Sequence, residues 1–344
     1  ELLVRVARER GWPIIAEPDS GLRFGAGLQD VVSSRADIFL RDRAVCEALA
    51  PELVIRLGQT PTSKPVRHWL RDYAAGAVVL VDQFGTWQDP DHVARELVVA
   101  APTDFVRMCL LGDDKHEIDS PWARLWRRAE SAACGELEGI SCEQPWEGAA
   151  AHELVKCLPA GALVHVANSM PIRDLDGFGG VRSDFIEVFS NRGANGIDGM
   201  VSTAAGEAVG RGAPLVAYSG DLTALHDLSG LLVAHQAGAS VTLAVVDNRG
   251  GGIFEHLPIS KHPHAFEKNF ITPHQQDVAA VASAMGIRAM HVTSVRDFSA
   301  ALIEEFERPG LSVVVLRVDR QFNTQQHRRA WESVGQRVRE ELGL

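Results

Sequence analysis

The sequence predicts an α/β protein built from two doubly wound, parallel-sheet domains. Three observations lead there. Strand-like and helix-like segments alternate from end to end, the pattern of parallel strands joined by crossover helices. One stretch, Gly135 to Glu147, carries Gly, Ser, Gln and Pro with no sustained period, and separates two alternating series. The length of 344 residues, at roughly 150 per domain, also gives two domains. The expected division is 1–138, a linker at 139–148, and 149–344.

In the first series, a helix runs to about Arg10 and a short apolar run follows from Pro13 to Ala16. Leu53 to Leu57 reads as a strand, Ser63 to Tyr73 as a helix, and Ala77 to Val81 as a buried strand ending in the turn Asp82-Gln83-Phe84-Gly85. Thr103 to Leu111 and Ser120 to Ala133 read as helices. Ser120-Pro121 is a helix entry, a capping hydroxyl before a first-turn proline, and Trp122, Leu125, Trp126 and Ala129 follow at helical spacing. In the second series, strands are expected at Leu163–Ala167, Phe185–Phe189, Leu215–Ser219, Val241–Asp247 and Leu311–Val318. A final helix from about Thr324 to Leu342 puts Trp331, Val334, Val338 and Leu342 on one face. Gly250 to His274, rich in Gly, Pro and His, reads as a long functional loop.

Composition bounds the function. Hydrophobic residues are 46% and charged residues 23%, ordinary for a globular protein. The net charge of −11 argues against a broad nucleic-acid or anionic-membrane surface. No apolar run approaches the ~20 residues of a membrane span. The five cysteines, Cys46, Cys109, Cys134, Cys142 and Cys157, include no CxxC pair, so free thiols in a reducing cytoplasm are expected. No signal peptide is visible.

The chemistry-bearing pattern is Gly220-Asp221-Leu222 followed by Asn248, 27 positions after Asp221. A strand delivers Asp221 to its carboxyl end. A helix with Leu225, Leu228, Leu232 and Val233 at helical spacing leads to the next strand, which delivers Asn248 to its own carboxyl end. Ligands of open α/β sheets bind at that edge. A carboxylate, an amide oxygen and a backbone carbonyl form a hard donor set suited to Mg²⁺ shared with phosphate. The helix start near Thr223 offers free N–H groups to such a phosphate. Either residue alone is an ordinary strand-end turn; the spaced pair is what points to a metal–diphosphate site.

This arrangement resembles the thiamine-diphosphate signature, with Gly-Asp-Leu in place of Gly-Asp-Gly and Asp247-Asn248 in place of Asn-Asn. Three flanking blocks narrow the resemblance. They are Ser190-Asn191-Arg192-Gly193-Ala194-Asn195-Gly196-Ile197-Asp198-Gly199, Asn168-Ser169-Met170-Pro171-Ile172-Arg173, and Asn248-Arg249-Gly250-Gly251-Gly252-Ile253-Phe254. With these the chain is similar to the 2-succinyl-5-enolpyruvyl-6-hydroxy-3-cyclohexene-1-carboxylate synthase family of menaquinone biosynthesis. Before residue 150 the best landmark is Leu57-Gly58-Gln59-Thr60-Pro61-Thr62-Ser63-Lys64.

The resemblance implies the following roles. Asp221, Asn248 and the Gly250 carbonyl hold Mg²⁺. Leu222 and Thr223 donate to the diphosphate. Gly196 lets its backbone approach the aminopyrimidine, Ser169 is a further cofactor-binding residue, and Ile197 is the apolar wedge that bends the cofactor. Ile253, Phe254 and Leu257 wall the reacting centre, where exclusion of water disfavours charge. Arg173 and Arg192, with Asn168 and Ser169, bind the carboxylates of 2-oxoglutarate and isochorismate through guanidinium forks. The reaction implied is decarboxylation of 2-oxoglutarate and 1,4-addition of the succinyl carbanion to isochorismate, by a carboligase-type transferase. The enzyme is expected to be a cytoplasmic homodimer or homotetramer with its site between subunits.

The two domains then correspond to the central and diphosphate-binding domains of a three-domain enzyme. The chain opens at Glu1 already in a helical pattern, so the amino-terminal pyrimidine-binding domain and the first strand of the central one are expected to be absent. The isolated chain is expected to be poorly active. Two rival functions share the Gly-Asp…Asn pattern or the short length: another thiamine-diphosphate 2-oxoacid decarboxylase or acetohydroxyacid synthase, and a non-catalytic assembly module.

Other patterns carry less. His256, His262, His264 and His274 lack a zinc framework and read as a solvated loop. Gly250-Gly251-Gly252 does not match GxGxxG, and Lys64 lacks a P-loop. Asp82, Asp89 and Asp91 read as a polar turn, and Gln326-His327-Arg328-Arg329 as the solvent face of the last helix.

Overall fold

The computed structural model describes residues 1–111, 119–139, 143–194 and 196–344. Cys142, Asn195 and positions 140–142 of the expected linker lie outside the described residues. The chain forms two compact units. One comprises Glu1–Glu17, Gly27–Gly139 and Ala330–Leu344; the other comprises Pro18–Ala26 and Ile140–Arg329. The division is therefore not contiguous, where the sequence predicts one linker at 139–148. Local bonds explain the exchange. Phe24 bridges Arg182, and the Arg23 guanidinium donates to the Gly180 carbonyl at 2.9 Å and to Asp176 at 3.1 Å.

The first unit is parallel throughout. Strand β1 (Ile14–Ile15) pairs with β2 (Val32–Ser33), and β3 (Val54–Leu57), β4 (Val78–Val81) and β5 (Ala94–Val98) form a second sheet in that order. Its helices are α1 (Leu2–Arg10), α2 (Ala36–Phe39), α3 (Arg43–Ala48), α4 (Lys64–Tyr73), α5 (Pro102–Leu110) and α6 (Pro121–Glu138). Ser63 and Ser120 cap α4 and α6 by accepting the Val66 and Ala123 N–H groups, and each helix has a proline in its first turn. Trp126 lies edge-on to Phe39, Trp69 and Trp122 at 5.6–5.9 Å between ring centres. Val334 and Val338 are fully buried, and Arg41 stacks over Trp331 at 3.8 Å, so the apolar face expected on the last helix is used. Asp89 pairs with Arg56 and Asp91 with Arg67, while Asp82 closes its turn on Phe84 and Thr86.

The second unit holds a six-stranded, all-parallel sheet. Its strands are β6 (Leu163–Val166), β7 (Glu187–Ser190), β8 (Leu215–Gly220), β9 (Val241–Asp247), β10 (Arg288–Val292) and β11 (Leu311–Arg317), in the order β10-β11-β9-β8-β6-β7. Helices are α7 (Glu147–Cys157), α8 (Met170–Phe178), α9 (Met200–Arg211), α10 (Asp221–His226), α11 (Leu228–Gln236), α12 (Pro263–Phe266), α13 (Val278–Ala284), α14 (Val295–Phe306) and the opening turns of α15 (Arg320–Leu342), whose residues from Ala330 onward belong to the first unit. One sheet face, with Leu215, Ala217, Leu243, Val245, Val313 and Val315, shares a core with α9, α11 and α13. The alternate residues Val164, Val166, Val216, Ala244, Val314 and Leu316 are buried too. A sheet covered on both faces needs such uninterrupted apolar strands. The chain leaves β7 and crosses β6 to reach β8. The switch point thus lies between β6 and β8, where open sheets of this type bind ligands.

Four expectations are corrected. The single helix after Gly220-Asp221 is two, broken at Asp227. The Asp227 carboxylate accepts the Ser202 N–H at 2.7 Å and the Ser202 hydroxyl at 3.1 Å instead of extending a helix. In α11 it is Leu231 and Ala234 that are buried, while Leu232 and Val233 are about half exposed. The stretch Gly250 to His274 is not plain loop: it folds into 3₁₀ turns at Gly252–His256 and Pro258–Lys261, then α12 and a π-turn at Glu267–Ile271. His327 faces inward, with no solvent exposure. Among the described residues, no helix is long and apolar enough to cross a membrane.

Candidate functional site

Four neighbouring strand ends deliver the polar residues. β7 leads to Arg192, β6 to Asn168 and Ser169, β8 to Asp221, and β9 to Asn248. The carboxyl-end edge predicted from the sequence is therefore one continuous feature centred on the switch point.

Asp221 and Asn248 converge on one donor. The Gly250 N–H lies 2.9 Å from Asp221 Oδ2 and 3.1 Å from Asn248 Oδ1. Gly250 has φ +150°, and a Cβ there would collide with the Ile271 carbonyl, so only glycine fits. Its own carbonyl accepts the Gly252 N–H at 2.9 Å, which leaves a lone pair for a further partner. Asp221 Oδ1 accepts the Leu222 N–H at 2.7 Å, and Thr223 is buried in the same turn. Burial, then the nearby Asp247 carboxylate, pushes Asp221 up to about 8. A carboxyl held this far above its ordinary range is relieved by a cation. The Asp221 carboxylate, the Asn248 amide oxygen and the Gly250 carbonyl form a hard donor set that fits Mg²⁺.

His274 is the unexpected neighbour. Its Nε2 lies 3.1 Å from Asp221 Oδ2, and its side chain is 9% exposed. It forms a close group with Asp221 and Asp247, which corrects the solvated-loop reading. His262 and His264 are exposed as expected. Arg249 and Arg317 flank Asp247 at 3.6 and 3.3 Å.

The second cluster centres on Asn168. Its Nδ2 donates to the Asn191 carbonyl at 2.8 Å and the Gly196 carbonyl at 2.5 Å, and its Oδ1 accepts from Arg192. Arg173 donates to the Ser169 carbonyl at 2.6 Å. Ile197 is half-buried beside Gly196. Both strand-end asparagines are followed by a non-glycine residue with positive φ, Ser169 at +75° and Arg249 at +65°. Such strained residues cluster at ligand sites. Ile253 and Phe254 are half-buried on the 3₁₀ turn, with Phe254 edge-on to Phe270 at 5.6 Å, and Leu257 is 37% exposed at its end.

Two buried neighbours of the candidate site escape the sequence reading. Glu147 falls in the expected linker, yet it opens α7, is buried, and accepts from Asn248 Nδ2 at 2.6 Å. His327 bonds Asp174 at 2.8 Å within the same buried group. Neither has a local pattern to announce it. Among the described cysteines, burial pushes Cys46 and Cys157 up to about 12 and Cys134 up to about 11, the opposite of an activated thiolate.

Residues 187–316 match the family model for the C-terminal TPP-binding domain of thiamine pyrophosphate enzymes. The matched span runs from the start of β7 almost to the end of β11, and so contains both Asp221 and Asn248. At the level of whole proteins, the chain is 38% identical over 339 residues to the 2-succinyl-5-enolpyruvyl-6-hydroxy-3-cyclohexene-1-carboxylate synthase of Geobacillus thermodenitrificans, covering 98% of this chain and 58% of that protein. It is 37% identical over 320 residues to the synthase of the same name from Haloarcula marismortui, covering 92% of this chain and 54% of the relative. For the Chloroflexus aurantiacus synthase the figures are 37% over 343 residues, 97% and 57%. The chain thus spans less than three-fifths of the length of these curated relatives.

Proposed function

We propose that this chain carries the cation- and diphosphate-holding part of a thiamine-diphosphate-dependent carboligase of menaquinone biosynthesis. That enzyme decarboxylates 2-oxoglutarate and adds the four-carbon unit to isochorismate in 1,4 fashion. The observation that carries the reading is the single Gly250 N–H shared by Asp221 and Asn248, at the strand ends inside the TPP-binding match.

Asp221, Asn248 and the Gly250 carbonyl would hold Mg²⁺, while Leu222 and Thr223 orient the diphosphate. Gly196, Ile197 and Ser169 would receive the pyrimidine end. When bound, thiamine diphosphate supplies the electron sink for loss of CO₂. Arg192 and Arg173 would bind substrate carboxylates, with Asn168 holding Arg192 in place and linking it to Gly196. Ile253, Phe254 and Leu257 would exclude water from the reacting carbon. A cytoplasmic homodimer or homotetramer with a shared site completes the proposal.

The test is product analysis on the complete enzyme of which this chain is proposed to be part, with thiamine diphosphate and Mg²⁺. Consumption of 2-oxoglutarate together with isochorismate, with pyruvate ignored, is expected. Turnover of pyruvate alone would favour a different 2-oxoacid decarboxylase, and no cofactor binding would favour an assembly module.

A further inference from the structure

We infer that Glu147 is a positioning residue for the cation site: its side-chain oxygen fixes the Asn248 amide so that Oδ1 faces Asp221 and Gly250. This rests on reading Asn248 as a ligand of the cation.

An asparagine amide has an acceptor end and a donor end, and only Oδ1 can ligate a cation. The flat side chain fits a site equally well either way round, so something must choose. Here the choice is made at both ends. Nδ2 donates to Glu147 Oε1 at 2.6 Å, and Oδ1 accepts the Gly250 N–H at 3.1 Å. A flipped amide would set oxygen against the Glu147 oxygen and N–H against the Gly250 N–H.

Glu147 is itself firmly placed. Its N–H donates to Asn323 Oδ1 at 2.9 Å, and its carbonyl accepts from the Tyr218 hydroxyl at 3.4 Å. The next residue must be glycine, because a Cβ at Gly148 would overlap the Trp146 and Phe178 rings. This lets the start of α7 lie tight against the Trp146 and Phe178 rings. The residue is 4% exposed and shares its surroundings with Asp174 and His327. A buried carboxyl is a poor choice for filling space, since an apolar side chain of similar size packs there without a desolvation cost. Its use is explained by the acceptor it presents to Asn248. Glu147 bonds Asn248, one of the two side chains that share the Gly250 N–H, so it acts through that residue.

The experiment measures Mn²⁺ binding to the full chain by electron paramagnetic resonance, with thiamine diphosphate present, alongside thermal unfolding of each variant. Glu147→Met keeps the volume and removes the acceptor; Glu147→Gln keeps an acceptor. Glu147→Met should weaken Mn²⁺ binding about tenfold or more, as loss of an outer-shell partner does, with an unchanged or higher Tm. Glu147→Gln should stay within about threefold of the parent. In an Asn248→Ala background, Glu147→Met should add no further loss, because the two act as one unit. Parent-like binding by Glu147→Met while Asn248→Ala binds weakly would overturn this inference alone. So would a Glu147→Gln chain as weak as Glu147→Met, or a Glu147→Met chain that fails to fold. If Asn248→Ala binds like the parent, or the parent binds no Mn²⁺, the ligand reading fails and this inference with it.

Discussion

Asp221 and Gly250 are 29 positions apart, yet the Asp221 carboxylate accepts the Gly250 N–H at 2.9 Å. Parallel pairing of β8 with β9 makes this contact, since Gly220 and Val246 are partners in register at the ends of the two strands. The same N–H reaches Asn248 at 3.1 Å, so one backbone group sets the spacing of two side chains.

Gly250→Ala should therefore disturb both at once. The added methyl meets the Ile271 carbonyl at a φ of +150°. A loss of about 1–3 kcal/mol in stability is expected, the usual size of local backbone strain, together with weaker Mg²⁺ binding. Urea unfolding and calorimetric titration with Mg²⁺ and thiamine diphosphate would measure the two effects. A variant stable and binding like the parent would mean that the shared donor is dispensable.

Asp221→Asn should lower Mg²⁺ affinity in the presence of thiamine diphosphate by at least about tenfold, since even outer-shell losses reach that size. Its pH effect has a definite sign. Asp221 is held near 8, above its ordinary 3.8, so the folded protein keeps that proton more tightly than the unfolded chain. Stability should fall as pH rises between about 4 and 8, and the asparagine variant should show a flatter slope. Unfolding curves at pH 5 and pH 8, without added metal, would decide. Equal slopes for the two proteins would count against the raised carboxyl.

The buried His327–Asp174 pair should respond to pH in the same sense, from a higher starting pH. Burial pushes the His327 imidazolium down, but Asp174 and then Glu147 outweigh it, and the net shift is upward. Its contribution is full below about 6.5 and is lost as pH rises through the folded value. Asp174→Asn should cost about 3–5 kcal/mol at pH 6, the range for breaking one side of a buried pair, and less at pH 9. A cost that does not depend on pH would mean that His327 keeps one protonation state throughout this range.

On the proposed function, Arg192→Ala should raise the KM for 2-oxoglutarate about tenfold or more, from the loss of a charge-assisted hydrogen bond. Lysine should restore this only in part, because it lacks the fork that also holds Asn168. Steady-state kinetics on 2-oxoglutarate would read the change. An unaltered KM would assign Arg192 to holding Asn168 only.

The site was legible where chemistry coincides with strand ends. Asp221 and Asn248 follow uninterrupted apolar runs, and Val241–Asp247 has the bounds the sequence suggests. What stayed hidden depends on contacts between distant parts of the chain. His327 looks like a surface position, flanked by Gln326, Arg328 and Arg329, and only the packing of α15 beside Trp146 and Phe178 turns it inward. The break at Asp227 was hidden for a similar reason, since the Ser202 groups that occupy its carboxylate lie 25 positions away. Strands β5 and β10 are hidden because exposed polar residues, Arg95 and Glu96 in one and His291 in the other, interrupt the apolar run.

The place of Glu147, at the first residue of α7 and bonded to Asn248, bears on how the second unit can be dissected. A truncation beginning at residue 149, where composition alone would put the start of that domain, would keep every strand of the six-stranded sheet and every suspected ligand. It would nonetheless discard the anchor that orients one of those ligands. Fragments meant for ligand-binding work should begin upstream of Trp146, and a fragment starting three residues later is a natural negative control.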